Sequence, residues 1–284
     1  MADDGRMLRA LALGGAARLI AVDVTGLARE TQRRHGLAPN AAAAAGVLSA
    51  ATALMGSHIK GDERLAIQLQ ATSPPCGWYG EISASGVFRA RFAPADIPPR
   101  PVVVGMLLAI KSDAIRELYR GVTEIQLQTI EQALQRHLTD SAQVEAVIRL
   151  AAHVRGDGTI DFAGGLLIER LPPDANAPSL DIAAFAERVA WLREAQNLDE
   201  RVIEAVGGEF GREPIEVLSE TPLTWQCTCS DDRVEGMLRG LGPDELRSIV
   251  AELGQAEVTC HFCCEVRVVP GWRLEELADG VAVA

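Results

Sequence analysis

Trp225-Gln226-Cys227-Thr228-Cys229-Ser230 and Val258-Thr259-Cys260-His261-Phe262-Cys263-Cys264 bracket the stretch on which the reading of this chain turns. Five of the six cysteines fall in it, and thirty residues lie between Cys229 and Cys260. Thiols crowded into two short pairs read as two halves of one site rather than as a scattered disulfide framework. A tetrahedral zinc ion takes four thiolates, and a short pair on each of two loops or hairpins supplies two of them. Cys227, Cys229, Cys260 and Cys263 are therefore the candidate metal ligands. His261 stands between two of them, but four cysteines already complete the shell. Cys264 follows Cys263 directly, so in a hairpin its side chain should point the other way, as a bystander thiol. The lone Cys76, in the turn-like context Pro74-Pro75-Cys76-Gly77, reads as an ordinary thiol.

The segment between the pairs is not a loop. Ser230 is placed to cap a helix whose first turn carries Asp231 and Asp232, favourable at the positive helix end, and which runs through Val234, Met237 and Leu238. Gly242-Pro243-Asp244-Glu245 begins a second helix, with proline at a tolerated first-turn position. In it Leu246, Ile249, Val250 and Leu253 recur at i, i+3, i+4 and i+7, and Gly254 closes it. Val258 to Val269 reads as a hairpin with the second cysteine pair in its turn. This unit has fewer than fifty residues between 225 and 270, close to the size at which an apolar core alone fails. Zinc in small thiolate sites contributes apparent binding energy of about 10–16 kcal/mol, and this is folding energy when the site does not pre-exist. The pairs also offer two locally closable disulfides, the Cys227/Cys229 ring being small and strained. Oxidation would remove the ligands and with them the folding energy.

Upstream, residues 7–24 read as two strands around Gly14-Gly15, followed by a helix over 25–36 with Thr25 as cap and Gly36 as stop. Asn40 is placed to cap an Ala-rich, nearly uncharged helix through Met55. A helix small and apolar all round is buried on all sides, and this one is expected to run through the middle of the N-terminal domain. Leu65, Ile67 and Leu69 alternate as a strand. Residues 78–92 form a hairpin around Ser85-Gly86, residues 102–110 a strand, 129–138 a helix, and 147–168 a hairpin turning at Asp157-Gly158. Strands grouped apart from helices indicate an α+β fold with mainly antiparallel sheets around the Ala-rich helix. Pro172-Pro173 to Pro178 has linker composition. Helices are expected over 181–195 and 199–206. The expected division is 1–173 as the first domain, 174–222 as a helical linker and 223–284 as the metal-binding unit.

The chain of 284 residues has a net charge of −12, 48% apolar and 23% charged residues. Such a balance suits a globular protein and argues against a nucleic-acid partner, since phosphate binding needs a basic field. No apolar run looks long enough to span a membrane and Met1–Arg6 lacks a signal-peptide layout, so a cytoplasmic location and no membrane partner are expected. There paired cysteines favour metal or redox chemistry. His35, His58, His137 and His153 are scattered and read as structural or surface residues. No Ser-His-Asp set, phosphate loop or carboxylate pair stands out. The enzyme alternative is a thiol-disulfide oxidoreductase using Cys260 and Cys263. Against it, the motif sits in a hairpin rather than at a helix N-terminus after a strand.

Beyond these readings, the sequence resembles the heat shock protein 33 family of redox-regulated chaperones. The resemblance is carried by Cys227-Thr228-Cys229, Gly242-Pro243-Asp244-Glu245-Leu246 and Glu257-Val258-Thr259-Cys260-His261-Phe262-Cys263. It is carried upstream by Arg34-His35-Gly36-Leu37-Ala38-Pro39, Lys60-Gly61-Asp62-Glu63-Arg64-Leu65, Leu118-Tyr119-Arg120-Gly121 and Gly164-Gly165-Leu166-Leu167-Ile168. It implies an ATP-independent holdase rather than an enzyme. One zinc per chain, held by Cys227, Cys229, Cys260 and Cys263, would keep the reduced form inactive. Oxidants would form the disulfides Cys227–Cys229 and Cys260–Cys263, release zinc, unfold the terminal unit and loosen the linker. The active form would be a homodimer holding unfolding client proteins. Two positions depart from the family pattern: Cys264 stands where Gly or Asn is usual, and Ser141-Ala142-Gln143-Val144-Glu145 replaces the usual Ser-Glu-Gln-Ile-Pro.

Overall fold

The computed structural model describes residues 5–12, 15–99, 103–140, 145–171 and 216–280. The expected linker and its helices over 181–195 and 199–206 lie outside the described residues, as do residues 141–144. The chain divides into two compact units, Met1–Gln226 and Cys227–Ala284.

In the first unit ten strands form one sheet: β1 (Gly5–Ala12), β2 (Ala17–Asp23), β3 (Arg64–Ser73), β4 (Pro75–Ser83), β5 (Val87–Ala93), β6 (Val103–Ser112), β7 (Glu117–Gln128), β8 (Ala146–Val154), β9 (Ile160–Arg170) and β10 (Glu216–Trp225). Their order is β7-β6-β3-β4-β5-β10-β1-β2-β9-β8. Every pairing is antiparallel except a two-residue parallel contact, Thr224 opposite Val87 and Trp225 opposite Phe88, between β10 and β5. The helices are α1 (Thr25–His35), α2 (Pro39–Met55) and α3 (Ile130–Asp140). This is the α+β arrangement of mainly antiparallel strands around an Ala-rich helix expected from the sequence.

Helix α2 is the centre of the unit, with 13 of its 17 residues buried. Its small side chains let the sheet approach closely: a Cβ on Gly46 would stand 2.8 Å from Cβ of Ala152 on β8 and 3.1 Å from Cβ of Ala163 on β9. Its two buried hydroxyls are satisfied internally. Ser49 donates to the Ala45 carbonyl at 2.7 Å and Thr52 to the Leu48 carbonyl at 2.8 Å, so no polar group is stranded. With the following short turn, Pro39–His58 is long and apolar enough to cross a membrane, which corrects the sequence expectation; 78% of its window is buried inside the protein.

Two caps differ from expectation. Asn40 lies inside α2, one residue after Pro39. Extended Ala38 precedes the helix, and Asn40 Nδ2 instead donates to the Ile97 carbonyl at 3.2 Å. Thr25 is the first residue of α1 rather than its cap, and its hydroxyl accepts from the Ala163 amide at 3.1 Å. Gly36 does end α1 in the left-handed conformation. Strands β7 and β10 were not read as strands. β10 occupies residues 216–225, the stretch assigned from sequence to the end of the linker and the start of the terminal unit. It pairs with β1 from Gly5/Leu223 to Leu11/Glu216. At its end Leu223 is 0% and Trp225 7% exposed. The Trp225 indole donates to Thr31 Oγ1 at 3.1 Å, and the Arg34 guanidinium lies 4.3 Å from the ring centre.

A buried polar cluster ties β2, β9 and the turn after α2. The Glu169 carboxylate, 2% exposed, meets Arg18 at 2.6 Å and His58 Nε2 at 2.9 Å. Burial, with the cations Arg18, Arg9 and Lys111, pushes His58 down to about 4. The ring is then neutral near pH 7, with Nε2–H donating to Glu169 and Nδ1 accepting from Arg18 at 2.9 Å.

The second unit contains α4 (Asp231–Arg239), α5 (Pro243–Leu253), the antiparallel hairpin β11 (Gln255–Thr259) and β12 (Val266–Pro270), and α6 (Gly271–Ala278). Helix α6 has no counterpart in the sequence reading. The unit's core is Val234, Leu238, Leu246, Ala256, Val269, Leu274 and Leu277, with Ile249, Val250 and Val258 packed against it. The stripe expected on α5 is narrower than read: Leu246 is 1% exposed but Leu253 is 71% exposed.

Candidate metal centre

The cysteines are positioned by two local structures that the sequence specifies well. After β10 the chain runs extended through Cys227-Thr228-Cys229 to Ser230, whose side chain accepts the Arg233 amide at 3.3 Å and caps α4. Arg233 also donates to Thr228 Oγ1 at 2.8 Å, which pins the loop between the first two cysteines to the helix start. The second pair sits in the turn of the β11–β12 hairpin. There the Cys260 amide donates to the Glu265 carbonyl at 3.0 Å and the Cys264 amide to the Cys260 carbonyl at 2.9 Å.

These two loops bring the four candidate ligands together. The Sγ atoms of Cys227, Cys229, Cys260 and Cys263 all lie within 4.8 Å of one another. Cys227 and Cys260 are 3.6 Å apart and Cys229 and Cys263 3.3 Å apart. Bonds of about 2.3 Å to a tetrahedral ion place sulfur atoms roughly 3.8 Å apart. The donor set therefore suits a metal ion that prefers soft ligands. Cys263 is 4% exposed and the other three are half-buried. His261 is exposed and stands outside the group, and so is Cys264. Cys264 adopts φ +57°, a left-handed conformation that favours Gly or Asn. Cys76 lies on β4 in the first unit and is not one of the converging cysteines, and burial pushes its thiol up to about 11.

The electrostatics of the four thiols are uneven. Burial raises Cys260, but backbone N–H groups of Cys263 and Phe262 and the neighbouring Cys263 and Cys227 thiols outweigh it and bring Cys260 down to about 7. Burial pushes Cys263 and Cys227 up. Cys260 is thus ready as a thiolate near neutrality, and metal binding requires the deprotonated form of each thiol ligand.

One polar contact at the cluster was not anticipated from sequence. Arg267, on β12, donates from Nη2 to Cys229 Sγ at 3.7 Å and from Nη1 to the Asp231 carboxylate. A basic residue within the run Val266-Arg267-Val268-Val269 was the available signal, but only the hairpin register shows which loop it faces.

A family model described as Hsp33 protein matches residues 5–269. The 33 kDa chaperonin of Syntrophotalea carbinolica is 34% identical over 276 residues, covering 91% of this chain and 94% of the relative. That of Bacillus subtilis is 30% identical over 288 residues, covering 96% and 98%. The crystal structure of the 33 kDa chaperonin (heat shock protein 33 homologue) of Thermotoga maritima superimposes with a TM-score of 0.83 at 18% identity over 98% of each chain. At that identity the likeness is one of fold. With the family model spanning both compact units and relatives matching nearly end to end, the chain belongs to the Hsp33 family.

Proposed function

We propose that this protein is a redox-regulated, ATP-independent holdase chaperone, silenced by one zinc ion on Cys227, Cys229, Cys260 and Cys263. The observation that carries the reading is the convergence of these four sulfur atoms within 4.8 Å in a unit whose core comprises seven buried residues. Zinc is the ion of choice because a closed set of four thiolates is its common structural site. Bound there, it would supply folding energy to the terminal unit.

The chain's own groups carry the switch. The reactive group is a thiolate, and Cys260 is the one already brought down to about 7. A peroxide takes two electrons from each cysteine pair: two thiolates, one hydrogen peroxide and two protons give one disulfide and two waters. The disulfides are Cys227–Cys229 and Cys260–Cys263. With its ligands gone the terminal unit loses its folding energy, and the linker over 174–222 loosens. Residues 1–173 and the released linker then present apolar surface to unfolding client proteins, in a homodimer. The chaperonin names of the relatives and the net charge of −12 support a cytoplasmic protein partner over a nucleic acid, a membrane or a catalysed reaction.

The test is aggregation of a heat-denatured client with the protein either reduced and zinc-loaded or peroxide-treated. Suppression by the oxidised form alone is expected. Equal suppression in both states refutes the switch. The Cys260 thiol also favours a second reading, a thiol-disulfide oxidoreductase using Cys260 and Cys263. Against it, the pair lies in a hairpin turn rather than at a helix N-terminus that would stabilise a thiolate, and an insulin-reduction assay separates the two.

A further inference from the structure

We propose that Arg267 is a positioning residue that sets the oxidant threshold of the cysteine cluster by shielding Cys229 with its guanidinium. This rests on the zinc-switch reading above and assigns a role to a residue outside the ligand set. Arg267 sits on β12 opposite Val258 on β11, directly after the turn that carries Cys260 and Cys263. Its side chain, 26% exposed, reaches back across the unit to the other cysteine loop. There Nη2 donates to Cys229 Sγ at 3.7 Å, while Nη1 is held by Asp231 at the start of α4. Glu265 lies 3.9 Å from the same Nη2, and Nε has no hydrogen-bond partner among the described residues. The guanidinium thus bridges the Cys229 sulfur and the Asp231 carboxylate, the latter 81% exposed.

The other sulfur atoms are served differently. Backbone N–H groups of Cys263 and Phe262 donate to Cys260, that of Cys229 to Cys227, and that of Glu265 to Cys263. These are neutral donors. Cys229 receives a full positive charge, and hydrogen bonds from charged donors are roughly twice as strong as neutral ones. Four thiolates around a divalent ion carry a net charge of about −2. A fixed cation at one corner withdraws electron density from that sulfur and makes it the poorest nucleophile of the four. Outer contacts of this kind commonly alter metal-site behaviour by about 10-fold or more. Attack on peroxide sends two electrons from sulfur to oxygen, giving a sulfenic acid and hydroxide. A second thiolate displaces the sulfenic oxygen as hydroxide, closing the disulfide. Shielding Cys229 slows its share of this sequence without blocking Cys260, and so raises the oxidant dose at which all four ligands are lost.

The experiment uses the full chain loaded with zinc and follows zinc release with a chromophoric chelator during exposure to excess hydrogen peroxide. Arg267→Met should bind one zinc per chain and release it roughly 3- to 10-fold faster than wild type. Asp231→Asn, which keeps the guanidinium but removes its clamp, should stay within about twofold of wild type. Arg267→Met releasing zinc at the wild-type rate overturns the proposal. So does Asp231→Asn matching Arg267→Met, which would make Arg267 a mere brace for α4. A measurement on the wild type alone holds if the Met variant does not fold. Under limiting peroxide with a sulfenic-acid trap present to intercept the first oxidation, mass mapping should find the trapped adduct forming on Cys229 several-fold more slowly than on the equally half-buried Cys227. Equal rates overturn the proposal. A wild-type chain that holds no zinc refutes instead the switch reading itself, so the two failures are distinct.

Discussion

Leu246→Ala tests whether folding of the terminal unit and the proposed zinc binding are one event. Leu246 is 1% exposed and belongs to one core cluster with Val234, Leu238, Ala256, Val269, Leu274 and Leu277. Truncating a fully buried leucine costs about 2–5 kcal/mol, and a small unit that can collapse around the cavity falls toward the lower part of that range, about 2–3 kcal/mol. If the apo unit is unfolded, that loss appears in full as weaker zinc binding. At about 1.4 kcal/mol per decade it corresponds to roughly a 30- to 150-fold rise in the zinc dissociation constant, with all four ligands intact. The assay is competition with a chromophoric chelator under reducing conditions. The control is Leu253→Ala, on the same helix but 71% exposed, which should leave affinity within about twofold. An unchanged dissociation constant in Leu246→Ala would refute the reasoning, because it would mean that the four thiolates are assembled independently of the core.

Other outcomes follow from the first unit. Gly46→Ala gains about 1 kcal/mol of helix propensity but places a methyl 2.8 Å from Ala152 Cβ on a backbone that cannot yield. Overpacking costs about 1–3 kcal/mol, so a net loss of about 1 kcal/mol is expected in denaturant unfolding, and a gain would contradict the close approach. Trp225→Ala should cost about 3–5 kcal/mol. Trp225→Phe, which keeps the ring but loses the hydrogen bond to Thr31, should cost about 1 kcal/mol by the same measurement. His58 has a folded value of about 4 against about 6.5 unfolded, so the unfolded chain binds the extra proton between those values. Its stabilising contribution is fully present above about pH 6.5 and is lost as the pH falls toward 4. His58→Gln should therefore show a flatter stability profile than wild type across that window, and parallel profiles would refute the assignment.

Elements marked by Gly, Pro or a hydroxyl at their ends were legible in the sequence. Ser230 capped α4, Pro243 opened α5, and Gly36 and Gly254 closed their helices in the left-handed conformation. The convergence of the four cysteines was legible because their spacing has few other uses. Strand β7 escaped notice because its inner face is Gly121, Thr123 and Ile125, with Val122 outward, so apolar alternation points the wrong way. Strand β10 hides for a similar reason: it fills a gap between β1 and β5 with mostly exposed side chains, and only Leu223 and Trp225 are buried. Asn40 was a plausible cap by type, but with Pro39 at the first helical position the helix starts two residues earlier. The departure at Cys264 acquires a physical meaning in the fold. At φ +57° the position suits the Gly or Asn usual in the family, and a cysteine there carries a conformational cost and an exposed thiol.

If the proposed switch operates, one zinc ion on four thiolates is exchanged for two disulfides. Zinc content and free-thiol count on the same sample, before and after hydrogen peroxide, test it most directly. The reduced chain should hold one zinc and show six thiols once denatured, matching its six cysteines. After oxidation, zinc should be absent and two thiols should remain, Cys76 and Cys264. Zinc retained after four thiols have disappeared, or zinc lost with all six thiols still free, would contradict it.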